Sequence, residues 1–169
     1  MIQYLEMADC IGVIFPYIHR NLTATEQAPD YRAEASGMGE LDKVLAFMKS
    51  DYYPSFHDKA SYVLCSIAGS QYFSNGNKRL GIAVLMAFLA LNQAGNPTLD
   101  ATGFRALLSG HFPLHQWEDN AQFQNPHALF LYNLAIVIGN RNVWGGINFD
   151  ILKEKTSEMF ELLHPLQKS

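Results

Sequence analysis

Charge is scarce in this chain and its balance is slightly acidic. Only 17% of its 169 residues are Asp, Glu, Lys or Arg, and twelve basic against sixteen acidic residues leave a net charge of −4. No global positive field is available to attract nucleic acid, so any recognition of phosphate must be local. Cysteine is nearly absent: Cys10 and Cys65 are far apart and form no C-x-x-C pair. A disulfide framework is thereby excluded, and the two read as buried thiols in a reducing compartment. The longest uninterrupted apolar run, Leu80 to Leu91, is too short to span a bilayer. Residues 1–6 have neither a basic n-region nor an apolar h-region, so a secretory signal is not expected and a cytoplasmic location is. No stretch alternates convincingly at period two, and no repeat or low-complexity tract occurs.

What the chain does have is apolar content, 49% of its residues, enough for one domain with a real core. Leu5, Ala8, Ile11, Phe15 and Ile18 recur at helical spacing from Tyr4 to Ile18, with Pro16 expected to bend or end that helix. Arg20 to Gly39 collects Thr, Pro, Asp and Gly and reads as a long loop, with room for a small hairpin. Leu41, Val44, Leu45 and Met48 mark a second helix. Ser55-Phe56-His57-Asp58 reads as a capping box opening a third, whose buried stripe is Ala60, Val63, Leu64, Ile67 and Ala68. The fourth, after Lys78, is apolar nearly all round, as a central helix is, and Gly95-Asn96-Pro97 should stop it. Asp100 caps a short helix, Gly110 to Pro126 is a polar loop, and Ala128 to Ile138 is another apolar helix. Gly139 to Gly146 reads as a turn, and Asn148 can cap a last amphipathic helix. The expected architecture is all-α, a helical bundle around a central buried helix pair.

The link between that central pair carries the chemistry. Gln71 to Arg79 is dense in Asn, Gly, Lys and Arg, whereas core helices are rarely joined by so many hydrogen-bonding groups. Gly76 can adopt positive φ and turn backbone amides into one concavity. Lys78 and Arg79 then fall in the first turn of the next helix, where orphan amides and the dipole favour an anion. Arg adds a planar fork and Lys a mobile point charge. The local reading is a phosphate cradle. It is not a Walker A loop, because the earlier Gly and the following Ser or Thr are missing. The bland alternative is a polar helix start in which Asn77 caps and the two cations are solvated.

Phe73-Ser74-Asn75-Gly76-Asn77-Lys78-Arg79 resembles the signature of the Fic/Doc (Fido) family, closest to its Doc branch, H-x-F-x-[ND]-[AG]-N-K-R. The resemblance extends through Gly39 to Leu45, Lys59 to Tyr62 and Leu85 to Leu89. It is strongest over residues 35–96 of a single 1–169 domain and hardly touches the C-terminal helices of residues 120–169. It implies a nucleotide-dependent transfer of AMP or phosphate onto a protein hydroxyl. Asn75, Gly76, Asn77, Lys78 and Arg79 would then hold the phosphates of ATP or another nucleotide, and Phe73 would anchor the loop. The residue at Asn75 helps to hold Mg²⁺ in the family, although a neutral amide oxygen is a weaker ligand than a carboxylate. Partners by the same analogy are a protein target or an antitoxin-like protein in a toxin–antitoxin setting, with neither nucleic acid nor membrane.

Two positions depart from the longer pattern. Ile82 stands where Fic relatives carry a second Arg, as suits the Doc branch. Gln71 stands where the family has its catalytic His. An amide accepts no proton near neutral pH and can only orient a hydroxyl, a water or a phosphate. A positioned general base is worth roughly 10²–10⁴ in rate, so the expectation is a weakened or inactive transferase. The alternative is a catalytically dead member acting as a binding or regulatory module. His111 and His115 have metal-pair spacing, but Pro113 between them breaks the required helix. Ser157 to Glu161 matches the start of an inhibitory-helix pattern in Fic proteins, then departs from it at Leu162.

Overall fold

The computed structural model describes residues 1–141 and 146–166. Among them are helices and loops and no strand, the all-α character that the apolar spacing predicts. The elements in chain order are α1 (Met7–Asp9), a π-helical turn (Cys10–Ile14), α2 (Phe15–Asn21), a 3-10 turn (Tyr31–Ala33), α3 (Ala35–Phe47), α4 (Phe56–Ala68), α5 (Asn77–Leu91), α6 (Ala101–His111), α7 (Pro126–Gly139) and α8 (Phe149–Leu163). No helix among the described residues is long and apolar enough to cross a membrane.

Local chemistry starts most of the later helices. Ser55 Oγ accepts the Asp58 amide at 3.0 Å while the Asp58 carboxylate accepts the Ser55 amide at 3.2 Å, a reciprocal box with Asp in the third position. Asp100 accepts the Gly103 amide, Asn125 those of His127 and Ala128 ahead of Pro126, and Asn148 that of Asp150. Each such cap stabilises its helix by about 1 kcal/mol.

Tertiary packing then closes one core around α4 and α5. They run antiparallel: Phe56 at the start of α4 stacks on Phe88 near the end of α5, with ring centroids 4.9 Å apart. At the other end Gly81 lies against Ala68, so close that a Cβ on Gly81 would be 3.0 Å from the Ala68 nitrogen. Helix α8 lies on the other side of α4, where Ser61 Oγ donates to the Lys153 carbonyl at 2.6 Å. Helix α7 is buried nearly all round and covers both α4 and α5. Cys10 and Cys65 are both free and buried, and burial pushes each thiol up to about 12.

Two expectations for the first forty residues are corrected, the long loop and its hairpin. Of the two outcomes expected at Pro16, an end to the helix does not occur, and α2 continues to Asn21. A π-helical turn precedes it, closed by the Phe15 amide on the Cys10 carbonyl, and that wider turn accommodates the ring and its missing donor. The loop expected over Arg20 to Gly39 is much shorter, because α3 begins at Ala35 and takes in Gly37 and Gly39. Gly37 is there for proximity: a Cβ would lie 2.5 Å from the Tyr72 carbonyl oxygen and 2.6 Å from the Phe73 ring. No hairpin forms in the loop. Further on, α5 ends at Leu91, ahead of the expected stop at Gly95. The turn expected over Gly139 to Gly146 lies partly outside the described residues.

Candidate ligand site at the hinge between α4 and α5

The link from Gly69 to Gly76 is held from three directions. Asn77 staples it from within: its Oδ1 accepts the Phe73 amide at 3.1 Å and its Nδ2 donates to the Phe73 carbonyl at 2.9 Å. Glu34, just ahead of α3, grips Ser74 with both oxygens, one accepting the amide at 2.8 Å and the other the hydroxyl at 2.6 Å. From below, the Tyr31 hydroxyl donates to the Gly76 carbonyl at 3.1 Å. Burial pushes the Tyr31 phenol up to about 12, against the pull of Arg79, so it is a neutral donor there. Phe73 is only 2% exposed and sets its edge on the Tyr31 ring, centroids 5.0 Å apart. Tyr72 beside it also packs against the core, half-buried.

Gly76 has φ +73°, the left-handed conformation expected of it. A Cβ there would also come within 2.5 Å of the Tyr31 hydroxyl oxygen. The chain then enters α5, and the first intrahelical bond runs from the Leu80 amide to the Gly76 carbonyl at 2.9 Å. The amides of Asn77, Lys78 and Arg79 precede that bond and are the orphan donors of this helix start. Lys78 extends over Gly139 of α7, where a Cβ would sit 2.7 Å from the lysine Cε. That glycine is a notch for the lysine, and nothing in the sequence points to it.

Arg79 is placed differently from a free phosphate fork. Its side chain is 9% exposed, and its Nη1 donates to the carbonyls of Leu22 at 2.7 Å and Glu26 at 2.6 Å, its Nη2 to that of Gln27 at 3.1 Å. The Glu26 carboxylate stands 3.8 Å away. Three of the five guanidinium donors therefore organise the segment after α2. Asn77 likewise serves the loop with its side chain. The groups left with capacity are Lys78, the orphan amides, the exposed Gln71 and Asn75, whose Oδ1 is buried without a hydrogen-bond partner.

These residues share one cavity of about 480 Å³. Gln71, Asn75, Gly76, Asn77, Lys78 and Arg79 all line it, and the buried Phe73 does not. Other lining residues come from parts of the chain with no motif: Phe123 from the loop before α7, and Tyr132 and Ile136 from α7 itself. Phe123 and Tyr132 are stacked, centroids 5.0 Å apart and planes 20° from parallel. Glu26 and Glu118 also line it, so the electrostatics are mixed and not uniformly cationic. Gln122 joins the two loops that carry them by accepting the Ala24 amide at 3.1 Å and the Thr25 hydroxyl at 3.4 Å.

The segment that brings Glu118 to the cavity is held by Asn133, fully buried in α7. Its Nδ2 donates to the carbonyls of Glu118 and Leu129, both at 2.9 Å, and its Oδ1 accepts the Glu118 amide and His115 Nε2, both at 2.8 Å. A lone Asn inside the apolar run from Ala128 to Ile138 was the one available signal for this segment. His115 thus serves the loop, and His111, at the end of α6, bonds the Leu107 carbonyl at 3.0 Å. No metal-holding group of three or more His, Cys, Asp or Glu side chains exists among the described residues. Glu161 opens onto a separate groove with Tyr52 and Asp58, away from Lys78 and Arg79.

No family model matches the chain, and no curated protein or solved structure matches it either.

Proposed function

We propose that this chain is a Fic/Doc-like nucleotide-binding protein whose transferase activity is weakened by Gln71. What supports the reading is one observation. Six of the seven residues that resemble the family signature, all but the buried Phe73, line a single cavity together with Gln71, and the Asn75 Oδ1 is buried and unpartnered. A volume of about 480 Å³ falls within the range of pockets that enclose a drug-sized ligand, and a nucleotide has that size.

In this reading the orphan amides of α5 and Lys78 bind the phosphates, and Gly76 lets the backbone approach them. The Asn75 oxygen is buried, and it would meet a cation brought in with the nucleotide only after its side chain turned toward the cavity. Mg²⁺ is commonly bound through substrate phosphates with few protein ligands, and the residues present fit it in that way only. A target hydroxyl then attacks a phosphate phosphorus. One P–O bond forms, the bond to the leaving group breaks (pyrophosphate when AMP is transferred, the nucleoside diphosphate when the terminal phosphate is), and the hydroxyl proton must leave. Gln71 can align the hydroxyl but cannot take that proton. Positioning and electrostatic stabilisation, the larger part of phosphoryl transfer, remain.

A second reading has its own observation. Arg79 is engaged by three carbonyls, which is the arrangement of a structural residue, and it favours a binding module without transfer activity. Labelled ATP incubated with cell lysate separates the two. Gln71→His should raise protein labelling by about 10²-fold, the lower end of what a general base contributes. Asn75→Asp combined with it should exceed the sum of the single changes, because base and metal act on one transition state. Background label in the wild type, both single variants and the double variant would leave the binding module.

A further inference from the structure

The end of α3, the segment that follows it and one face of α8 carry a surface of a different kind. Phe47 is 46% exposed and Tyr52 68%. Their ring centroids lie 5.9 Å apart, Tyr52 meets Tyr53 at 5.0 Å, Tyr53 stacks on Tyr62 at 4.3 Å, and Tyr62 meets Phe47 at 5.6 Å. Two grooves meet at this ring of aromatics. Phe47 and Tyr62, with Tyr72, line one of about 600 Å³. Tyr52 and Tyr53 line the other, of about 420 Å³, together with Asp58, Asp150, Glu154, Glu158 and Glu161. These carboxylates are not gathered for a metal, since no metal-holding group exists among the described residues. The one cation lining that groove, Lys153, is occupied: its Nζ donates to the Tyr53 hydroxyl at 3.2 Å and pairs with Asp150 at 3.0 Å. In the first groove Lys43 is paired with Glu40 at 2.7 Å. Glu154 and Glu161 are exposed and enter no ion pair among the described residues.

An aromatic and anionic surface restricts what can cover it. A second copy of the chain, related by a two-fold axis, would set carboxylates against carboxylates. Nucleic acid and anionic headgroups are repelled in the same way, so charge complementarity calls for a basic protein segment. The hydroxyls of Tyr52 and Tyr72 bond to no group among the described residues, and can donate to a backbone whose carbonyls are free. A helix spends its carbonyls internally, whereas a polyproline II segment leaves them open and packs its rings on aromatic grooves. Lys153 already shows that a cation can sit on these rings, 4.8 Å from the Tyr53 centroid. We propose that this surface docks an extended segment of another protein rich in Pro and Arg, with prolines on Phe47, Tyr52 and Tyr62 and arginines toward Glu154 and Glu161. Arg is favoured over Lys because its planar fork matches a carboxylate and its face stacks on Tyr. The proposal stands apart from the nucleotide reading of the hinge.

Fluorescence anisotropy with a labelled peptide of repeating Pro-Pro-Arg tests this, since the three-residue turn of polyproline II sets its arginines along one edge. The wild type should bind it, and should not bind a Pro-Pro-Glu repeat. A Gly-Gly-Arg repeat has the same charge without the preformed shape and should bind about tenfold more weakly. Tyr52→Ala removes an exposed ring and should weaken the Pro-Pro-Arg repeat about tenfold, as loss of an aromatic anchor does, with the urea midpoint of the chain unchanged. Glu154→Gln combined with Glu161→Gln should weaken it severalfold and flatten its dependence on salt. Equal binding of the Gly-Gly-Arg and Pro-Pro-Arg repeats would overturn the proposal and leave only a charged face. Failure of the wild type to bind the Pro-Pro-Arg repeat at low salt would overturn it as well. So would sedimentation that shows the chain alone as a dimer broken by Tyr52→Ala, because the surface then belongs to a second copy.

Discussion

The two ends of the α4–α5 pair hold polar groups of opposite kinds. At the hinge end, Asn75 lines a cavity while its own Oδ1 is buried without a partner. At the open end, His57, His127 and His164 meet where α4 and α7 begin and α8 stops. His57 Nε2 donates to the His164 carbonyl at 2.8 Å, and His164 Nδ1 to that of Gly95 at 3.0 Å, while the rings of His127 and His164 lie 4.9 Å apart. The Nε2 atoms of His127 and His164 are also buried and unpartnered, but they face packed aromatic rings such as Phe104 and Phe160. An orphan polar atom is therefore not a site by itself. With a cavity beside its residue, it can turn to receive a ligand; without space, the protein keeps the group neutral.

The largest effect should come from the residue that makes the hinge end rigid. Arg79→Met leaves three carbonyls of the 22–27 segment without a donor. At about 1–3 kcal/mol for each buried group left unsatisfied, less what water recovers, urea unfolding should show a loss of about 3 kcal/mol or more. Gln71→Ala at the same end, an exposed side chain, should stay within about 0.5 kcal/mol. Equal losses for the two would mean that Arg79 is free in solution, and would restore it as a phosphate ligand.

Next in size is the pH response of the open end. Burial pushes the His127 imidazole down to about 4, with His164 adding to the effect. Burial also lowers His164, against the pull of its bond to the Gly95 carbonyl, and His57 lowers it further. Both rings are neutral in the fold at pH 7, whereas an unfolded His titrates near 6.5. The unfolded chain thus binds more protons through that window. Stability is full above about pH 6.5 and is lost as pH falls toward 4, by about 3 kcal/mol from His127 alone. His127→Phe should flatten the curve between pH 7 and 5 in chemical denaturation. An unchanged curve would place the acid sensitivity elsewhere, for example in Asp58. Burial would raise the Asp58 pKa, but hydrogen bonds from Ser55 and Ser157 turn it down, so its contribution is lost only in stronger acid.

The hinge was legible because it is a polar cluster between two apolar runs, and Gly76 announces a backbone turn that only glycine adopts cheaply. The caps at Ser55, Asp100 and Asn148 were legible for the same reason: their chemistry is satisfied within three residues. The role of Arg79 was not, because its partners are backbone carbonyls, which every residue has. Phe123 and Tyr132 come to the cavity from some fifty residues downstream, and such a long-range meeting carries no local pattern. Gly37 misled, since a glycine required for close packing reads the same as one in a loop.

Asn77→Ala comes third. It removes two short bonds to Phe73 and should cost about 2 kcal/mol, while loosening the loop that holds Asn75. Thermal unfolding measures the first effect and nucleotide titration the second. A stability loss with unaltered binding would show that the loop's shape does not matter to the ligand.

The smallest pair compares the ends most directly. Ser55→Ala removes the cap of α4 at the open end, and Glu34→Gln weakens the grip on Ser74 at the hinge. The cap should be worth about 1 kcal/mol, seen as a shift of the urea midpoint. Glu34→Gln should cost less, about 0.5 kcal/mol, because Ser74 is exposed and water replaces the lost acceptor. In binding the order should reverse. Ser74 precedes Asn75, so a loosened Ser74 lets the Asn75 side chain leave the position it holds in the cavity lining. A ligand must then restore that order at its own expense, and nucleotide affinity should fall severalfold. Ser55 lies at the far end of α4, and its loss should leave affinity unaltered. If instead both variants change affinity in proportion to stability, the two ends act as one cooperative unit, and the unpartnered Asn75 oxygen has no more to do with a ligand than the packed histidines have.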